Sequence, residues 1–535
     1  MECLGSCSGP VGPRIIPQKV RGRLTIKSTY VKIYFTEHLK QNREKERRRD
    51  EMAELIRIKG LGGWNEIGAS STLVQCYDDL GCKRNLLIDA GVRMINPPRE
   101  GKGSVSKSEP HAMPGCTIHA VLLTHAHADH ASNVPNIFKE NPDADLFATG
   151  PTFYIAGQSW LEFIFLMTNG HVEVPMDYIL GFSSAVRRIL ETQKKNIVKK
   201  PGWVDIFPGI SAYFGPNGHI RGSAFIVLKI GEKQIMFSGD ISVYDSPTVK
   251  GMKIPEEFIG QLDVLFMEST YGDREVPERE EEEERMARLA NEAGQMGGSS
   301  VWPAFAIGRS PDIFLAQMAR NVEPLPMLDG SGRKILEIYA DPERGYWSEL
   351  DYSYDIDLNS EKVRRQIVGS KSQRTRRILS GDSINTVATA GMMSSGSCSS
   401  QYILDDIITG GGMSNREYRR RVNDFLSNPN NLIGVTGYQA ENTDGWALLQ
   451  AYDNGRRLEY DGRKIDIACQ VVRFQLTSHA SGFQLAEITK SLNPKKTFIG
   501  HGNKAGREGL EKNLRLIGYK GQIYVPDNGN IIEAV

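Results

Sequence analysis

The chain has 535 residues, enough for two or three domains, and 40% of them are hydrophobic, which is sufficient for large buried cores. Its 65 basic and 65 acidic residues give a formal net charge of zero, so net charge argues neither for nor against a polyanionic partner. No stretch approaches the roughly 20 apolar residues of a membrane span, and seven scattered cysteines without a C-x-x-C pair fit free thiols. These features predict a cytoplasmic protein without a membrane partner.

The predicted elements begin after a charged N-terminal extension, residues 1–53. That segment ends in a charge-dense stretch with little to bury, which predicts a solvated helix or a disordered lead-in, with a nucleic-acid-binding arm as the alternative. From Ile56 onward, short apolar runs such as STLVQC, RNLLIDAG, SAFIVLKIG and KQIMFSGD predict buried or half-buried strands. Several of these strands end in polar clusters, which is typical of a layered α/β scaffold that carries a functional site.

A second α/β unit is predicted after residue 272. The acidic run Glu280 to Glu284 opens a predicted helix that continues through RMARLANEAGQ, and we assign its carboxylates to a solvated face because they would repel phosphate. SSVWPAFAIGRS, TVATAGMM and NLIGVTGYQ then predict strands that alternate with helical segments. The basic stretches Lys362–Arg377 and Asn415–Val422 are more typical of solvated helix faces than of a nucleic-acid groove.

The stretch THAHADH, Thr124 to His130, holds three of the chain's ten histidines directly after an apolar run. Hydrogen-bonded, half-buried histidines are the ordinary interpretation of such residues. At this density, however, imidazoles and a carboxylate compete for donors unless cations use their lone pairs. The stretch therefore predicts a metal site, with His125, His127, Asp129 and His130 as candidate ligands.

Three further candidate ligands stand next to glycines at other predicted strand ends: His219 in GPNGHIRG, Asp240 in MFSGDIS and His501 in FIGHGNK. Each alone is more typical of a turn or a cap. Together with the four residues of THAHADH they supply seven nitrogen and oxygen donors, which suits two zinc ions about 3.5–4 Å apart. Because metal coordination lowers the pKa of water, the predicted chemistry is hydrolysis.

This order of motifs resembles the metallo-β-lactamase superfamily, with Asp89 in LLIDAG as the first motif and Asp240 as the fourth. The ligands that the resemblance assigns to one zinc ion are His125, His127 and His219. Those that it assigns to the other are Asp129, His130 and His501. It implies that Asp240 bridges the two ions and that Asp89 orients a ligand through a hydrogen bond.

More than two hundred residues separate Asp240 from His501, and this insertion resembles that of the β-CASP nucleases. MESTYG matches motif A through Glu268, LTSHASG matches motif B through His479, and GHGN matches motif C through His501. PAFAIGR, ATAGMMSSG and GYQAENTDG resemble segments of the cap domain. The resemblance runs from about residue 55 to the end and is closest to the RNA-cleaving group that contains the cleavage-and-polyadenylation endonuclease, with RNase J more distant.

The fold that this resemblance implies is α/β, a four-layer αββα metallo-β-lactamase sandwich with an inserted α/β β-CASP cap domain. The predicted metallo-β-lactamase domain comprises residues 54–272 and a C-terminal return, residues 473–535. The predicted cap comprises residues 273–472.

The implied activity is that of a dizinc ribonuclease of RNA processing or decay that leaves 5′-phosphate products, with Mn²⁺ as the alternative metal. Histidine at position 501 favours RNA, because the DNA-processing members resemble one another in carrying valine there. His479, polarised by Glu268, would protonate the leaving 3′ oxygen. The candidates for substrate phosphate binding are Arg309, Ser394 and Ser395. A surface ion pair explains Arg309 equally well, and a Gly/Ser cluster such as MSSGS is more often an ordinary turn than an anion site.

Departures from the family pattern leave the mode of action open. Asn503 stands where relatives usually carry an acid, and Asn442 and Asp444 replace a glycine and a leucine, which makes the substrate preference doubtful. The chain could act as an endonuclease, a 5′-exonuclease or both, as a homodimer or within an RNA-processing complex. The alternatives to a ribonuclease are an inactive or weakly active scaffold of such a complex and a hydrolase of DNA or another phosphodiester.

Overall fold

The computed structural model describes residues 56–96, 107–110, 112–169, 172, 174–394, 396–404 and 425–533. The predicted extension 1–53, the basic stretch Asn415–Val422 and Ser395 lie outside the described residues. Within the described ranges, no helix is long and apolar enough to cross a lipid bilayer. The cysteines in those ranges are free thiols, as predicted.

Strands and helices alternate irregularly in the first half of the chain. The strands are β1 (Arg57–Gly62), β2 (Ser71–Tyr77), β3 (Lys83–Ile88), β4 (Val92–Ile95), β5 (Lys107–Pro110), β6 (Ala120–Leu122), β7 (Asp145–Thr149), β8 (Ile197–Val198), β9 (Gly202–Phe207), β10 (Ile210–Pro216), β11 (Ala224–Ile230), β12 (Lys233–Phe237) and β13 (Val264–Met267). The helices are α1 (Ala128–Ala131), α2 (Val134–Glu140), α3 (Gly150–Thr168) and α4 (Met176–Thr192).

The second half follows a more regular alternation. Its strands are β14 (Ser300–Pro303), β15 (Met327–Asp329), β16 (Ile367–Val368), β17 (Asn385–Ala388), β18 (Leu432–Val435), β19 (Arg457–Tyr460), β20 (Arg463–Asp466), β21 (Gln470–Arg473), β22 (Lys496–Ile499), β23 (Gln522–Tyr524) and β24 (Ile531–Glu533). Its helices are α5 (Arg279–Gln295), α6 (Arg309–Ala319), α7 (Gly332–Tyr339), α8 (Glu361–Arg364), α9 (Lys371–Ser380), α10 (Cys398–Ile403), α11 (Asp444–Asp453), α12 (Gly482–Leu492) and α13 (Lys504–Leu516).

Two seven-stranded sheets pack face to face, with strand orders β24-β1-β2-β3-β6-β7-β8 and β23-β22-β13-β12-β11-β10-β9. Successive residues of a strand point to opposite faces. Accordingly, Ile226 of β11 packs between the sheets, whereas its neighbours Phe225 and Val227 pack against α12 and α13. Helices α3 and α4 cover the outer face of the other sheet. The predicted αββα sandwich is therefore confirmed.

A third sheet of six parallel strands, in the order β16-β15-β17-β14-β18-β21, is inserted into this sandwich. The chain leaves the second sheet at β13 and returns at β22, where Val264 pairs with Lys496. Apolar clusters lie on both faces of the inserted sheet. The inserted α/β cap is thus confirmed, while its boundaries at residues 272/273 and 472/473 stay predictions.

Helix α5 forms where the acidic run predicts it, but the solvated face assigned to its carboxylates is wrong for two of them. Glu282 and Glu283 are 9% and 0% exposed. Glu283 pairs with Arg279 and with Arg320, each at 2.8 Å, and Glu282 accepts a 2.7 Å hydrogen bond from the amide of Gln475. These donors include groups far away in the sequence, so the acidic run alone cannot show that its charges are neutralised.

Candidate active site

The predicted site residues lie in loops that leave the carboxyl ends of neighbouring strands. Asp89 follows β3, Asp240 follows β12, Glu268 follows β13 and His501 lies two residues after β22. Strands β3 and β6 are parallel, as are β12, β13 and β22, so their carboxyl ends share an edge of each sheet. This topology explains how residues separated by hundreds of positions meet at one place.

One group of donor atoms gathers around His127. Its Nδ1 lies 3.1 Å from Nε2 of His125 and 3.0 Å from Nε2 of His219. The Oδ2 atom of Asp240 lies 3.6 Å from both of those Nε2 atoms. These four donors form one cluster that could hold a metal ion.

A second group lies on the other side of the same carboxylate. The Oδ1 atom of Asp240 lies 3.5 Å from Nε2 of His130 and 3.4 Å from Nε2 of His501. The carboxylate of Asp129 approaches these two nitrogens to 3.9 and 3.8 Å. The seven predicted ligands therefore converge, and the two oxygens of Asp240 face different groups.

The donor atoms fit metal ions better than they fit each other. Ligands about 2.0–2.1 Å from a tetrahedral zinc ion lie roughly 3.3 Å apart, close to the separations found here. Nε2 of His130 and Oδ1 of Asp240 are buried and have no hydrogen-bond partner within the described residues. A buried polar atom without a partner is costly, and one cation held by the second group would satisfy both atoms.

The charge states of the histidines point in the same direction. Burial, followed by repulsion from neighbouring histidines, lowers the pKa of His125 and of His219 well below its usual value, so both rings are neutral as metal ligands require. For His130, burial opposes protonation, but the carboxylates of Asp240 and Asp89 outweigh it and raise the pKa to about 10. The same negative field that holds a proton on His130 attracts a metal ion, which would displace that proton.

Asp89 fixes the orientation of His130 and of the turn that precedes it. Its Oδ2 lies 2.8 Å from Nδ1 of His130, and it accepts hydrogen bonds from the amide and the hydroxyl of Thr124 at 2.8 and 2.7 Å. The backbone of Asp89 is left-handed, with φ 60°. Gly91 allows this turn to approach, because a Cβ there would lie 1.7 Å from the carbonyl oxygen of Asp129.

Two other candidate ligands, His219 and His501, each have one ring nitrogen that points away from the cluster. A backbone carbonyl or a hydroxyl group contacts that nitrogen. Nδ1 of His219 lies 2.8 Å from the carbonyl oxygen of Ser478, and Nδ1 of His501 lies 3.3 Å from the hydroxyl of Ser70. Such contacts fix the tautomer and the ring orientation of a ligand. The sequence analysis missed both partners, because a backbone carbonyl has no signature in the sequence and a single serine is too common to be one.

Glu268 and His479 form a pair beside the cluster. Nδ1 of His479 lies 3.2 and 3.3 Å from the two carboxylate oxygens, and Glu268 also accepts hydrogen bonds from the amides of Ile241 and Thr270. Burial opposes the charge on each member, yet the pair attraction lowers the pKa of Glu268 and raises that of His479 to about 9. His479 is therefore an imidazolium at neutral pH. Its ring lies 4.7 Å from that of His219.

Arg309, the first residue of α6, lies in the loop that follows β14. Its Nη1 donates to the carbonyl oxygen of Thr436 at 2.5 Å, and its buried Nε has no hydrogen-bond partner in the described part of the chain. Burial and repulsion from Arg279 lower its pKa to about 10. The carbonyl oxygen of Ile307, two residues earlier, lies 3.5 Å from Nε2 of His127, so this loop reaches the metal-ligand cluster.

Two more loops of the inserted sheet lie next to the Arg309 loop. Gly391, in the loop that also carries Ser394, approaches Phe305, because a Cβ on Gly391 would lie 3.0 Å from the amide nitrogen of Phe305. Asn442 donates to the carbonyl oxygen of Asn96 at 3.2 Å and so joins the cap to the sandwich. Asn442, which stands where the family pattern has a glycine, thus lies at a contact between the cap and the rest of the chain.

Comparisons with known proteins agree with this geometry. Residues 64–251 match the model of the metallo-beta-lactamase superfamily, and residues 464–526 match the model described as the Zn-dependent metallo-hydrolase RNA specificity domain. The first range contains Asp89 through Asp240, and the second contains His479 and His501.

Several proteins are similar in sequence to most of this chain. The transcription termination factor FttA of Methanocaldococcus jannaschii is 28% identical over 88% of this chain and 71% of its own length. An RNase J-like protein of the same organism is 25% identical over 84% of this chain and 93% of its own length. RNase aCSPSF2 of Saccharolobus solfataricus is 26% identical over 89% of this chain and 85% of its own length.

Among solved structures, the chain is similar to a protein of unknown function from Enterococcus faecalis V583. The TM-score is 0.51 at 14% sequence identity, over 90% of this chain and 100% of the other. At this identity the likeness supports the fold alone.

Proposed function

Because the chain belongs to the β-CASP ribonuclease family of the metallo-β-lactamase superfamily, we propose that it hydrolyses RNA phosphodiester bonds with two metal ions and leaves 5′-phosphate ends. The observation that carries the proposal is the position of Asp240, whose two oxygens face separate groups of buried ligands. The imidazole-rich donor set favours zinc, with Mn²⁺ as the alternative. Association with an RNA-processing complex or with a second copy stays a prediction.

The residues divide into those that hold metal and those that orient the holders. The proposed metal ligands are His125, His127, Asp129, His130, His219, Asp240 and His501. When bound, two metal ions would act as Lewis acids toward phosphate oxygens and would lower the pKa of bound water. Asp89 keeps Nε2 of His130 turned toward Asp240 by holding its Nδ1, and Ser478 does the same for His219.

His479 supplies the proton that the leaving group needs. Cleavage that leaves a 5′-phosphate breaks the bond between phosphorus and O3′, and O3′ must take a proton as that bond breaks. Glu268 holds Nδ1 of His479, so the proton that is transferred comes from Nε2, which has no hydrogen-bond partner in the described part of the chain. The raised pKa, about 9, keeps His479 protonated at neutral pH.

Arg309 binds substrate phosphate in this proposal, and Ser394 and Ser395 are further candidate donors. A charged guanidinium whose Nε has no partner in the described chain is suited to phosphate oxygens. Among the described residues, no carboxylate lies within 4.0 Å of Arg309 to neutralise it.

Arg309→Met is expected to raise KM for RNA by roughly 10- to 100-fold, because a charge-assisted hydrogen bond contributes about 1.5–3 kcal/mol. Steady-state cleavage of a short labelled RNA measures the effect. The matched control is Arg288→Met, since Arg288 is 61% exposed and pairs with Glu292 on its own helix. An unchanged KM in Arg309→Met would remove this residue from the phosphate site.

The experiment that tests the function compares RNA and DNA of one sequence. Purified protein with zinc is expected to cleave RNA at least tenfold faster than DNA, to leave 5′-phosphates in product mapping, and to lose activity with a chelator. Substrates with 5′-hydroxyl and 5′-monophosphate ends separate internal cleavage from stepwise removal of nucleotides at the 5′ end. Equal cleavage of DNA, or an inactive protein that carries both metals, would refute the proposal.

A further inference from the structure

Arg279, the first residue of α5, is a buried cation that lies outside the set of residues assigned above. Its side chain is 7% exposed. Nε donates to Glu283 at 2.8 Å, Nη1 donates to the carbonyl oxygen of Thr477 at 3.1 Å, and Nη2 lies 3.5 Å from Oδ2 of Asp312. All three nitrogens of the guanidinium therefore have partners. One partner lies on α5 itself, one in the loop at Thr477 and one on α6.

The Thr477 contact is notable because of the two residues that follow it. The amide of His479 donates to the hydroxyl of Thr477 at 2.9 Å. The carbonyl oxygen of Ser478 lies 2.8 Å from Nδ1 of His219. Three consecutive residues thus connect Arg279 to the proposed proton donor and to a proposed metal ligand.

The opposite side of the guanidinium is fixed by groups that belong to separate parts of the chain. Asp312, on α6, accepts a 2.6 Å hydrogen bond from the hydroxyl of Thr248 in the sandwich. Glu283 is held in addition by Arg320 at 2.8 Å. Both carboxylates are almost fully buried, with exposures of 2% and 0%. Because its acidic partners are immobilised, Arg279 can set the position of the loop at Thr477.

We propose that Arg279 is a positioning residue for the loop Thr477–His479. It holds the carbonyl of Thr477 so that Ser478 orients His219 and His479 stays beside the cluster. A lysine would keep the charge but not the fork that reaches Glu283, Asp312 and the loop at once. The expected effect on cleavage rests on the proposed function, whereas the expected effect on metal binding does not.

Arg279→Lys is expected to lower kcat by about tenfold with little change in KM, and to weaken metal binding by about tenfold, the lower end of the range for groups that orient ligands. Zinc affinity is measured by competition with a chromophoric chelator, and cleavage with the RNA used above. The matched control is Arg288→Lys, because Arg288 lies on the same helix, is 61% exposed and pairs with Glu292 rather than with a partner of Arg279. Arg288→Lys is expected to keep wild-type kcat and zinc affinity.

The proposal is overturned if Arg279→Lys keeps wild-type kcat and zinc affinity, or if Arg288→Lys loses as much of both. Should wild-type protein fail to cleave RNA, the difference in zinc affinity between the two variants still decides the matter. If Arg279→Lys does not fold, Asp312→Asn serves instead, since it removes a charged partner of Arg279 and leaves the hydrogen bonds within the loop. That variant is expected to lower kcat and zinc affinity in the same direction, and unchanged values of both contradict the proposal.

Discussion

Asp240→Asn is expected to abolish measurable RNA cleavage, with a loss of at least about 10³-fold, and to remove most of the bound metal. Each oxygen of Asp240 faces a different histidine group, so one substitution weakens both sites. An amide leaves one poor oxygen ligand and places an NH₂ group among buried imidazoles. Metal ions provide several kcal/mol of transition-state stabilisation, and each loss of about 1.4 kcal/mol costs a factor of ten in rate.

Elemental analysis of the purified Asp240→Asn variant and the RNA cleavage assay measure the two effects together. The matched control is Asp145→Asn, the same chemical change at the amino end of β7, where Asp145 is partly exposed and pairs with Lys195 at 3.5 Å. Exposed ion pairs contribute little to stability, so this control should retain metal and activity. Two metal ions per chain in Asp240→Asn would show that the carboxylate is not shared.

The ligand motifs could be predicted because each one concentrates side chains in a few residues. THAHADH puts four donors on one turn, and the glycines beside His219 and His501 place those residues at strand exits. Apart from the predicted contact of Asp89 with His130, the contacts that orient the candidate ligands could not be predicted, because they come from backbone carbonyls such as those of Ser478 and Ile307 and from the hydroxyl of Ser70. A carbonyl belongs to every residue, and only the folded topology selects one.

The fold, like the site, could be predicted from the sequence only in part. Short continuous apolar runs predict β2, β3, β11 and β12, since strands that are buried on both faces need apolar residues at successive positions. The strand order of the inserted sheet, in which β17 lies between β15 and β14, follows from long-range pairing that a local pattern does not encode. Glu283 illustrates the consequence. Its buried carboxylate pairs with Arg320, which lies 37 positions later and belongs to no motif that includes Glu283.

Two residues of the site carry backbone strain. Asp89 and His501 adopt left-handed conformations, with φ of 60° and 45°, that cost a residue with a Cβ about 1–3 kcal/mol. Glycine would relieve this cost at either position but would remove the carboxylate or the imidazole. The fold therefore retains two strained residues where their side chains contact His130 and Asp240.

His479→Ala is expected to keep its metal and to lower kcat by about 10²–10⁴-fold, the range for loss of a general acid. Asp240 and the other ligands stay in place, so metal content separates this variant from Asp240→Asn. A normal rate would show that another group protonates O3′. A loss of zinc together with activity would assign His479 a structural role through its ring contact with His219.

The pH profile of cleavage tests whether the protonated form of His479 is the active one. Because the Glu268 carboxylate raises the pKa of His479 to about 9 against the effect of burial, wild-type cleavage should persist through neutral pH and fall as pH rises through about 9. Glu268→Gln removes the counter-charge but keeps the shape and one amide acceptor. Burial is then opposed only by the weaker attraction of groups such as Asp240, so the basic limb should move down from about pH 9 toward about 6.5, the ordinary value for histidine. A basic limb that stays near pH 9 in Glu268→Gln would mean that the limb belongs to a different group, and His479→Ala should then show the same profile at its reduced rate.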